Sequence, residues 1–212
     1  MNNALEHLDS SYRAKSIAEN AHVYNNWAST FEQEMGAMGY VNPALTPAIV
    51  ERWAPSKDVK ILDIGCATGL VGGYLHFLGF TNLHAVDHSS EMVEFAKQKN
   101  VYQAVKNESL TPNKQLSYTD NEFDITIPMG IFTVSHAPVE GVEEVLRITK
   151  SGGFIVFSCT QPGWNSGFGA KFEELSLTNK WIQVDKTKEY ITIPGAAKDR
   201  LYKSVIYVYQ KL

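Results

Sequence analysis

The sequence predicts one α/β domain with an open, doubly wound and mostly parallel sheet. Three observations point to this fold class. The 212 residues suit one such domain better than two. From residue 57 onward, short apolar runs alternate with helical patterns, as in right-handed βαβ units. The last strand patterns follow one another without a helix, so they can pair as an antiparallel hairpin.

Residues 1–56 are expected to form a helical lid and cap, and residues 57–212 a Rossmann-like core. Within residues 11–35, sparse apolar side chains recur on one helical face: Tyr24, Trp27, Phe31 and Met35. Asn42-Pro43 and Pro47 then restart a helix that runs to about Trp53.

Seven strands are expected in the core. The first, VKILDI, is almost continuously apolar, as in a strand buried on both faces. The predicted strands are 59–64, 83–87, 101–106, 123–129, 154–159, 181–184 with 190–193, and 204–210. The connecting helices are expected to end near Gly79, to begin at Ser89 or Ser90, and to cover 138–150 and 171–179.

Composition restricts the class of protein. The net charge of -4 gives no global positive field, so neither nucleic acid nor a membrane surface is an expected partner. The chain has no apolar run of about 18 residues and no apolar signal-peptide core. Two distant cysteines favour a reducing cytoplasm over a disulfide framework. The six histidines show no metal-site spacing, so we expect no metal.

The segment ILDIGCATGL, residues 61–70, carries the main chemical signal. It joins the first strand to a helix, where backbone N–H groups and glycines let a ligand come close. A dinucleotide fingerprint starting at Gly65 needs glycine at 67 and 70, where this chain has Ala67 and Leu70. The loop also lacks the Gly-Lys-Ser/Thr of a P-loop and any basic residue. A nucleoside cofactor without phosphates fits it better.

Two acidic residues end the first two strands. Asp87 lies 22 positions after Gly65, close to the ~20 at which an acidic residue meets a ribose. We favour ribose binding for Asp87 over a turn or cap role. For Asp63, a brace for the loop and a direct ligand contact are both open.

Four motifs, taken together, resemble class I S-adenosylmethionine-dependent methyltransferases. In order they are D-I-G-C-A-T-G, V-D-H-S-S-E-M, N-E-F-D and R-I-T-K-S-G-G-F. The segments Y-N-N-W-A-S-T-F-E, C-A-T-G-L-V and S-V-I-Y-V-Y-Q-K are similar to the methyltransferase-like proteins of the Williams–Beuren syndrome region.

The resemblance implies S-adenosylmethionine as cofactor, S-adenosylhomocysteine as product, and a set of binding residues. Gly65, Cys66, Ala67 and Gly69 would contact the methionine part and adenosine, and Asp87 the ribose. His88 and Met92 would flank the adenine, with Asn107 and Glu108 near its amino group. Met129, Gly130 and Phe132 would lie along the cofactor near the methyl group.

The chain departs from the family pattern at two places. Ala67 stands where many members have glycine, and it can be accommodated if its φ is negative. Ile127-Pro128-Met129-Gly130 replaces the N/D-P-P-Y/F signature, which argues against methylation of nucleic-acid bases or protein amides.

The aromatic residues of the front helix are expected to divide between two roles. For Phe31 and Met35 we favour simple packing. For Tyr24 and Trp27 we favour a lid over the cofactor's methionine end, because aromatic faces attract a sulfonium cation. In that case Trp27→Ala should weaken cofactor binding without unfolding the domain. Tyr40 is expected to line the same cavity.

Four functions compete. A methyltransferase acting on a small molecule, as a monomer or homodimer, is favoured. Alternatives are a methyltransferase acting on protein or RNA, a cofactor-binding protein without catalysis, and another enzyme such as a nicotinamide oxidoreductase. His136 is the candidate general base, against a surface or helix-start role. Residues 161–169 are a substrate loop or a mere connector.

Overall fold

The front of the chain forms four helices. The computed structural model describes residues 2–196 and 203–212. The helices are α1 (Asn2–Arg13), α2 (Ile17–Trp27), α3 (Phe31–Ala37) and α4 (Asn42–Trp53). We call α1 to α3 the lid. Ser16 caps α2 by accepting a hydrogen bond from the backbone N–H of Glu19 at 3.1 Å.

The predicted apolar stripe therefore spans two helices instead of one. Tyr24 and Trp27 lie on α2, and Phe31 and Met35 lie on α3. The chain turns between them, where the N–H of Thr30 donates to the carbonyl of Trp27 at 3.1 Å. The turn keeps all four side chains in one cluster, so the periodicity survives the break. Helix α1 was not predicted.

The described residues form an eight-stranded sheet in the order β3-β2-β1-β4-β5-β8-β6, with β7 also paired to β8. The strands are β1 (Ile61–Ile64), β2 (Leu83–Asp87), β3 (Ala104–Asn107), β4 (Phe123–Ile127), β5 (Thr149–Thr160), β6 (Trp181–Lys186), β7 (Tyr190–Ile191) and β8 (Lys203–Lys211). β1 to β5 pair in parallel. β8 is antiparallel to β5, β6 and β7. The predicted fold class is confirmed.

Helices connect the strands. They are α5 (Leu70–Phe77), α6 (Ser90–Gln98), α7 (Gly141–Ile148), α8 (Gln161–Gly163) and α9 (Gly169–Leu177). A π-helical turn, Trp164–Phe168, joins α8 to α9. Residues 161–169 are thus helical, whereas the sequence suggested a loop. The glycines of this segment suggested a loop, but an aromatic side chain of the segment packs inward. Phe168 lies in the core and is 1% exposed.

Apolar clusters cover both faces of the sheet, as a doubly wound fold requires. Along β5, Ile155 and Phe157 point into one cluster, while Val156 points into the other. β8 alternates in the same way, with Ile206 and Val208 on one side and Tyr209 on the other.

The lid has an apolar cluster of its own. Trp27, Phe31 and Met35 pack there with Met92 from α6. The cluster holds the lid over the carboxyl end of β1 and β2, which is where ligands bind in open α/β sheets. No helix among the described residues is long and apolar enough to cross a membrane.

Candidate active site

The loop after β1 is held by backbone bonds to the neighbouring strand. The N–H groups of Gly65 and Cys66 donate to the carbonyl of Val86 at 2.7 and 3.2 Å. Gly65, Ala67 and Gly69 all have positive φ, at 70°, 47° and 84°. The condition under which Ala67 would be accommodated easily, a negative φ, is therefore not met. A left-handed alanine costs about 1–2 kcal/mol, because its Cβ approaches the following carbonyl.

The two glycines of this loop are needed for internal packing. A Cβ on Gly69 would lie 3.0 Å from the Tyr102 ring, and one on Gly65 would overlap the Ile131 side chain. The sequence argument assigned these glycines to ligand approach. The structure shows that the loop must first fit against the residues behind it.

Asp87 braces the loop with both carboxylate oxygens. Oδ2 accepts from the N–H of Ala67 at 2.8 Å, and Oδ1 accepts from the N–H of Ser89 at 2.8 Å. The residue is 5% exposed and lines a cleft. A carboxylate has about four lone-pair sites, so Asp87 can brace the loop and still accept further hydrogen bonds.

Asp63 acts as a brace behind the loop. Its Oδ2 accepts from the Tyr102 hydroxyl at 2.7 Å, and the residue is 2% exposed. Burial raises the pKa of Asp63 to about 7, and the Tyr102 hydrogen bond opposes that rise. Asp63 lines neither cleft described below, so its contacts favour the bracing role.

A first cleft, the Asp87 cleft, lies beyond the ends of β1 and β2. Of the predicted residues it contains Gly65, Asp87, His88 and Glu108. His88 Nε2 is buried and has no hydrogen-bond partner among the described residues. Sequence reasoning missed further members of its lining: Ile17, Ser109, Leu110, Leu116, Ile131 and Ala137. These follow β3 and β4 or come from the lid, where no motif marks them.

A second cleft, the lid cavity, lies between the lid and the ends of β4, β5 and β8. It encloses about 560 Å³ of empty space, its open mouth included. Of the predicted residues it contains Tyr24, Trp27, Tyr40, Gly130 and His136. Burial raises the pKa of Tyr24, and it raises that of Tyr40 to about 12, so both hydroxyls stay protonated.

His136 lines both clefts. Its Nε2 lies 2.9 Å from the Tyr24 hydroxyl, and its Nδ1 lies 2.8 Å from the carbonyl of Val134. Because a carbonyl only accepts, Nδ1 carries the hydrogen and Nε2 accepts from Tyr24. Burial lowers the pKa of His136 to about 4. The ring is therefore neutral at physiological pH, with its lone pair at the junction of the two clefts.

Comparisons with known proteins agree with this geometry. A family model described as "Methyltransferase domain" matches residues 62–157, which include the loop, Asp87 and the end of β4. Human methyltransferase-like protein 27 is 30% identical over 141 residues, covering 66% of this chain and 57% of that protein. Residues 62–157 thus match a methyltransferase domain model, and the chain is similar to class I methyltransferases.

The chain is also similar to other methyltransferases. The malonyl-(acyl-carrier protein) O-methyltransferase of Buchnera aphidicola is 28% identical over 134 residues, covering 62% of this chain and 53% of that protein. The chain thus spans about half the length of the curated relatives it matches. An S-adenosylmethionine-dependent methyltransferase structure from Thermotoga maritima superposes with a TM-score of 0.65 at 15% identity, covering 90% and 99% of the two chains. That likeness shows the fold.

Several residues predicted for the cofactor lie outside both clefts. Phe132 is fully buried in the sheet core, against Phe157 and Phe168. Met92 packs in the lid cluster, and Met129 in a sheet cluster. Their side chains were assigned by position in a motif, which does not say on which face of the sheet they fall.

Two more predicted residues, Cys66 and Asn107, contribute to the site indirectly. The Cys66 thiol is buried beside Ala85 and Ala96, and burial raises its pKa. Asn107 is exposed, and its side chain donates to the backbone carbonyl of Asp87 at 3.0 Å.

Among the described residues, no group of three or more His, Cys, Asp or Glu is placed to hold a metal ion.

Proposed function

We propose that this chain transfers a methyl group from S-adenosylmethionine to a small-molecule acceptor. One observation carries the proposal: the Asp87 cleft and the lid cavity meet at His136, whose Nε2 is hydrogen-bonded to the Tyr24 hydroxyl in the lid cavity. A cofactor in the first cleft and an acceptor in the second would meet at that junction. Methyl transfer needs this in-line alignment more than any other catalytic device.

The residues of the Asp87 cleft suit the adenosine part of the cofactor. Asp87 keeps lone pairs for ribose hydroxyls beyond the two backbone N–H groups it already accepts. His88 Nε2 is a buried polar atom that lacks a partner among the described residues, and a ligand would satisfy it. Glu108 and Ser109 follow β3 in the same cleft, where an adenine amino group would find acceptors. When bound, the cofactor would supply a methyl group bonded to a sulfonium sulfur, with the neutral thioether S-adenosylhomocysteine as the leaving group.

His136 is proposed to accept the proton that the acceptor loses. Its Nε2 lone pair now accepts from Tyr24, so the acceptor would take the place of the Tyr24 hydroxyl. A pKa of about 4 keeps the ring in the basic form but makes it a weak base. We therefore expect His136 to align the acceptor at least as much as it takes up its proton.

The enclosure of the lid cavity supports a small acceptor. Its walls come from three lid helices and from strands of the sheet, and Trp27 at its side is fully buried. A protein or RNA acceptor would need the lid to open.

We also propose that the chain belongs to the subgroup of methyltransferase-like proteins from the Williams–Beuren syndrome region. The match to human methyltransferase-like protein 27 supports this. Both cysteines, Cys66 and Cys159, are buried and unpaired, which supports the proposal of a reducing, cytoplasmic location.

Calorimetric titration with S-adenosylhomocysteine tests the cofactor assignment. We expect micromolar binding that Asp87→Asn weakens at least tenfold, while Asp58→Asn, an exposed carboxylate outside both clefts, leaves it unchanged. Because Asp87 also braces the loop, each variant is melted in parallel. No heat of binding to the folded wild type would contradict the proposal.

Incubation with methyl-labelled cofactor tests the acceptor class. The label is offered with a small-metabolite extract, with total protein and with total RNA in separate reactions. We expect a labelled product only from the metabolite extract, and less of it with His136→Gln. Label transferred to protein or RNA instead would overturn the small-molecule assignment.

A further inference from the structure

Five hydroxyl side chains form one wall of the lid cavity: Thr133, Ser158, Thr160, Thr192 and Ser204. We call them the hydroxyl row. They come from segments that lie side by side in the sheet. Thr160 on β5 is paired with Ser204 on β8, and the segment after β4 is bridged to β5 through Phe132 and Cys159. The row therefore crosses the sheet at the carboxyl ends of β4 and β5.

The row is tied together by hydrogen bonds. The Thr133 and Thr160 hydroxyls are 3.1 Å apart, and Thr192 donates to Ser204 at 2.7 Å. Ser158 Oγ accepts from the N–H of Gly130 at 3.0 Å. These bonds fix the hydroxyl oxygens in place before any ligand arrives.

The bonds leave some hydroxyl hydrogens unused. Each hydroxyl has one hydrogen to donate. Within the described part of the chain, three hydroxyl hydrogens reach no acceptor: those of Ser158, of Ser204 and of one member of the Thr133–Thr160 pair. Thr133, Ser158 and Ser204 are between 3% and 4% exposed. Burying a polar group without a partner is costly. The hydroxyl row therefore presents unpaired O–H donors to the cavity, and an acceptor atom of a ligand would satisfy them.

The opposite wall of the cavity has different chemistry. It is formed by lid side chains that are aliphatic or aromatic: Leu8, Trp27, Phe31 and Met35. Among the described residues the cavity lining contains no Lys, Arg, Asp or Glu, and His136 is neutral. A charged group entering this cavity would lose its hydration without gaining an ion partner. The aromatic faces would return only about 2 kcal/mol to a cation, against the several kcal/mol that removing it from water costs.

We infer that the hydroxyl row recognises the methyl acceptor, and that the acceptor is an uncharged, oxygen-bearing molecule with an apolar or aromatic face. Its carbonyl, ether or hydroxyl oxygens take the unused hydroxyl hydrogens, while its apolar face packs on Trp27 and Phe31. This inference rests on the proposed function, because it places the acceptor beside His136 in the lid cavity.

Ligand-observed NMR on protein saturated with S-adenosylhomocysteine tests the inference without requiring turnover. The probes are sets of aromatic compounds that share one ring and differ in one substituent: a methyl ester (neutral), a carboxylate (anionic) or an aminomethyl group (cationic). Methyl 3,4-dihydroxybenzoate and 3,4-dihydroxybenzoate are the neutral and anionic members of one such set. We expect the neutral members to bind most tightly. Loss of one hydroxyl contact in Ser204→Ala should weaken them about three- to tenfold. Thr192→Val should weaken them in the same direction, because it removes the hydrogen bond that orients the Ser204 hydroxyl.

Two controls separate recognition from folding. Thr126→Val removes a buried hydroxyl pair of the same kind, Thr126 with Thr149 at 2.9 Å, outside the cavity, and should leave probe affinity unchanged. Thr192→Ser keeps the hydroxyl that Thr192→Val removes, and should bind the neutral probes as wild type does.

Three outcomes would overturn the inference: tighter binding of the charged probes, neutral probes indifferent to both variants, or no probe binding to protein that binds S-adenosylhomocysteine. Failure to bind S-adenosylhomocysteine would instead refute the proposed function.

Discussion

Replacing Trp27 with alanine is expected to destabilise the lid strongly. Trp27 is fully buried in the lid cluster, and its indole N–H donates to Glu34 Oε2 at 2.7 Å. Removing a buried tryptophan side chain costs about 3–5 kcal/mol. For a domain of this length, each 1 kcal/mol lowers the Tm by about 2–4 °C. The expected loss is therefore about 6–20 °C.

This burial revises the sequence-based expectation that Trp27→Ala would weaken cofactor binding without unfolding. Trp27→Phe keeps a ring in the cluster and loses only the hydrogen bond to a carboxylate, worth about 1.5–3 kcal/mol. Trp53→Phe is the matched control, since Trp53 donates to Asp185 at 3.1 Å outside the lid cavity.

Calorimetric melting with and without S-adenosylhomocysteine measures the effect. We expect Trp27→Ala to melt far below wild type and Trp27→Phe to fall in between. A Trp27→Ala protein that melts within about 2 °C of wild type, less than 1 kcal/mol, but binds S-adenosylhomocysteine poorly would refute the reasoning. It would show that Trp27 acts on the ligand and not on the lid.

Three further perturbations have defined outcomes. Ala67→Gly should raise the free energy of unfolding, measured in urea, by up to about 1 kcal/mol. The glycine removes the strain of a left-handed alanine, and the greater conformational entropy of glycine in the unfolded chain offsets only part of that gain. A clear decrease in the free energy of unfolding would contradict the observed φ. Tyr102→Phe should cost about 1–3 kcal/mol, and more at pH 8 than at pH 6. The Tyr102 hydrogen bond favours the charged form of Asp63, whose pKa burial raises from 3.8 to about 7. The burial of Asp63 therefore destabilises the fold increasingly as pH rises from 3.8 through 7, and the Tyr102 bond offsets this most above pH 7, where Asp63 is ionised; an equal loss at both pH values would contradict this. The pKa of His136 is lowered to about 4 from 6.5, so its ring should titrate near pH 4 by NMR, and stability should fall as pH drops from 6.5 toward 4. A midpoint near 6.5 would contradict this burial.

The fold could be predicted because strands and helices each leave a periodic pattern. β1 and β2 read as apolar runs, and Ser89 marked the start of α6 by capping it, with its Oγ accepting from the N–H of Met92 at 3.2 Å. Boundaries were harder where tertiary contacts decide them. The predicted helix over 138–150 is shorter, since Thr149 and Lys150 belong to β5.

The site could be predicted only where one residue type has one evident use. Asp87 and His136 do line clefts, whereas Asp63, also a carboxylate at the end of a strand, lines neither and braces the loop. The hydroxyl row escaped notice, since Thr and Ser are common in strands and their common direction depends on the pairing of β5 with β8. Phe132 was misplaced for a similar reason, as its face of the sheet is set by the bridge to Cys159.

The position of β8 has a consequence for how the domain assembles during synthesis. β8 follows all the other strands in the chain, yet it lies between β5 and β6. The sheet therefore cannot close until residues 203–211 have left the ribosome. The lid helices, made first, pack against Ile193 and Ala196, which are made late. The lid cavity and its hydroxyl row take residues from Leu8 to Ser204, so neither can form before the segment that contains Thr192 and Ser204 has been synthesised.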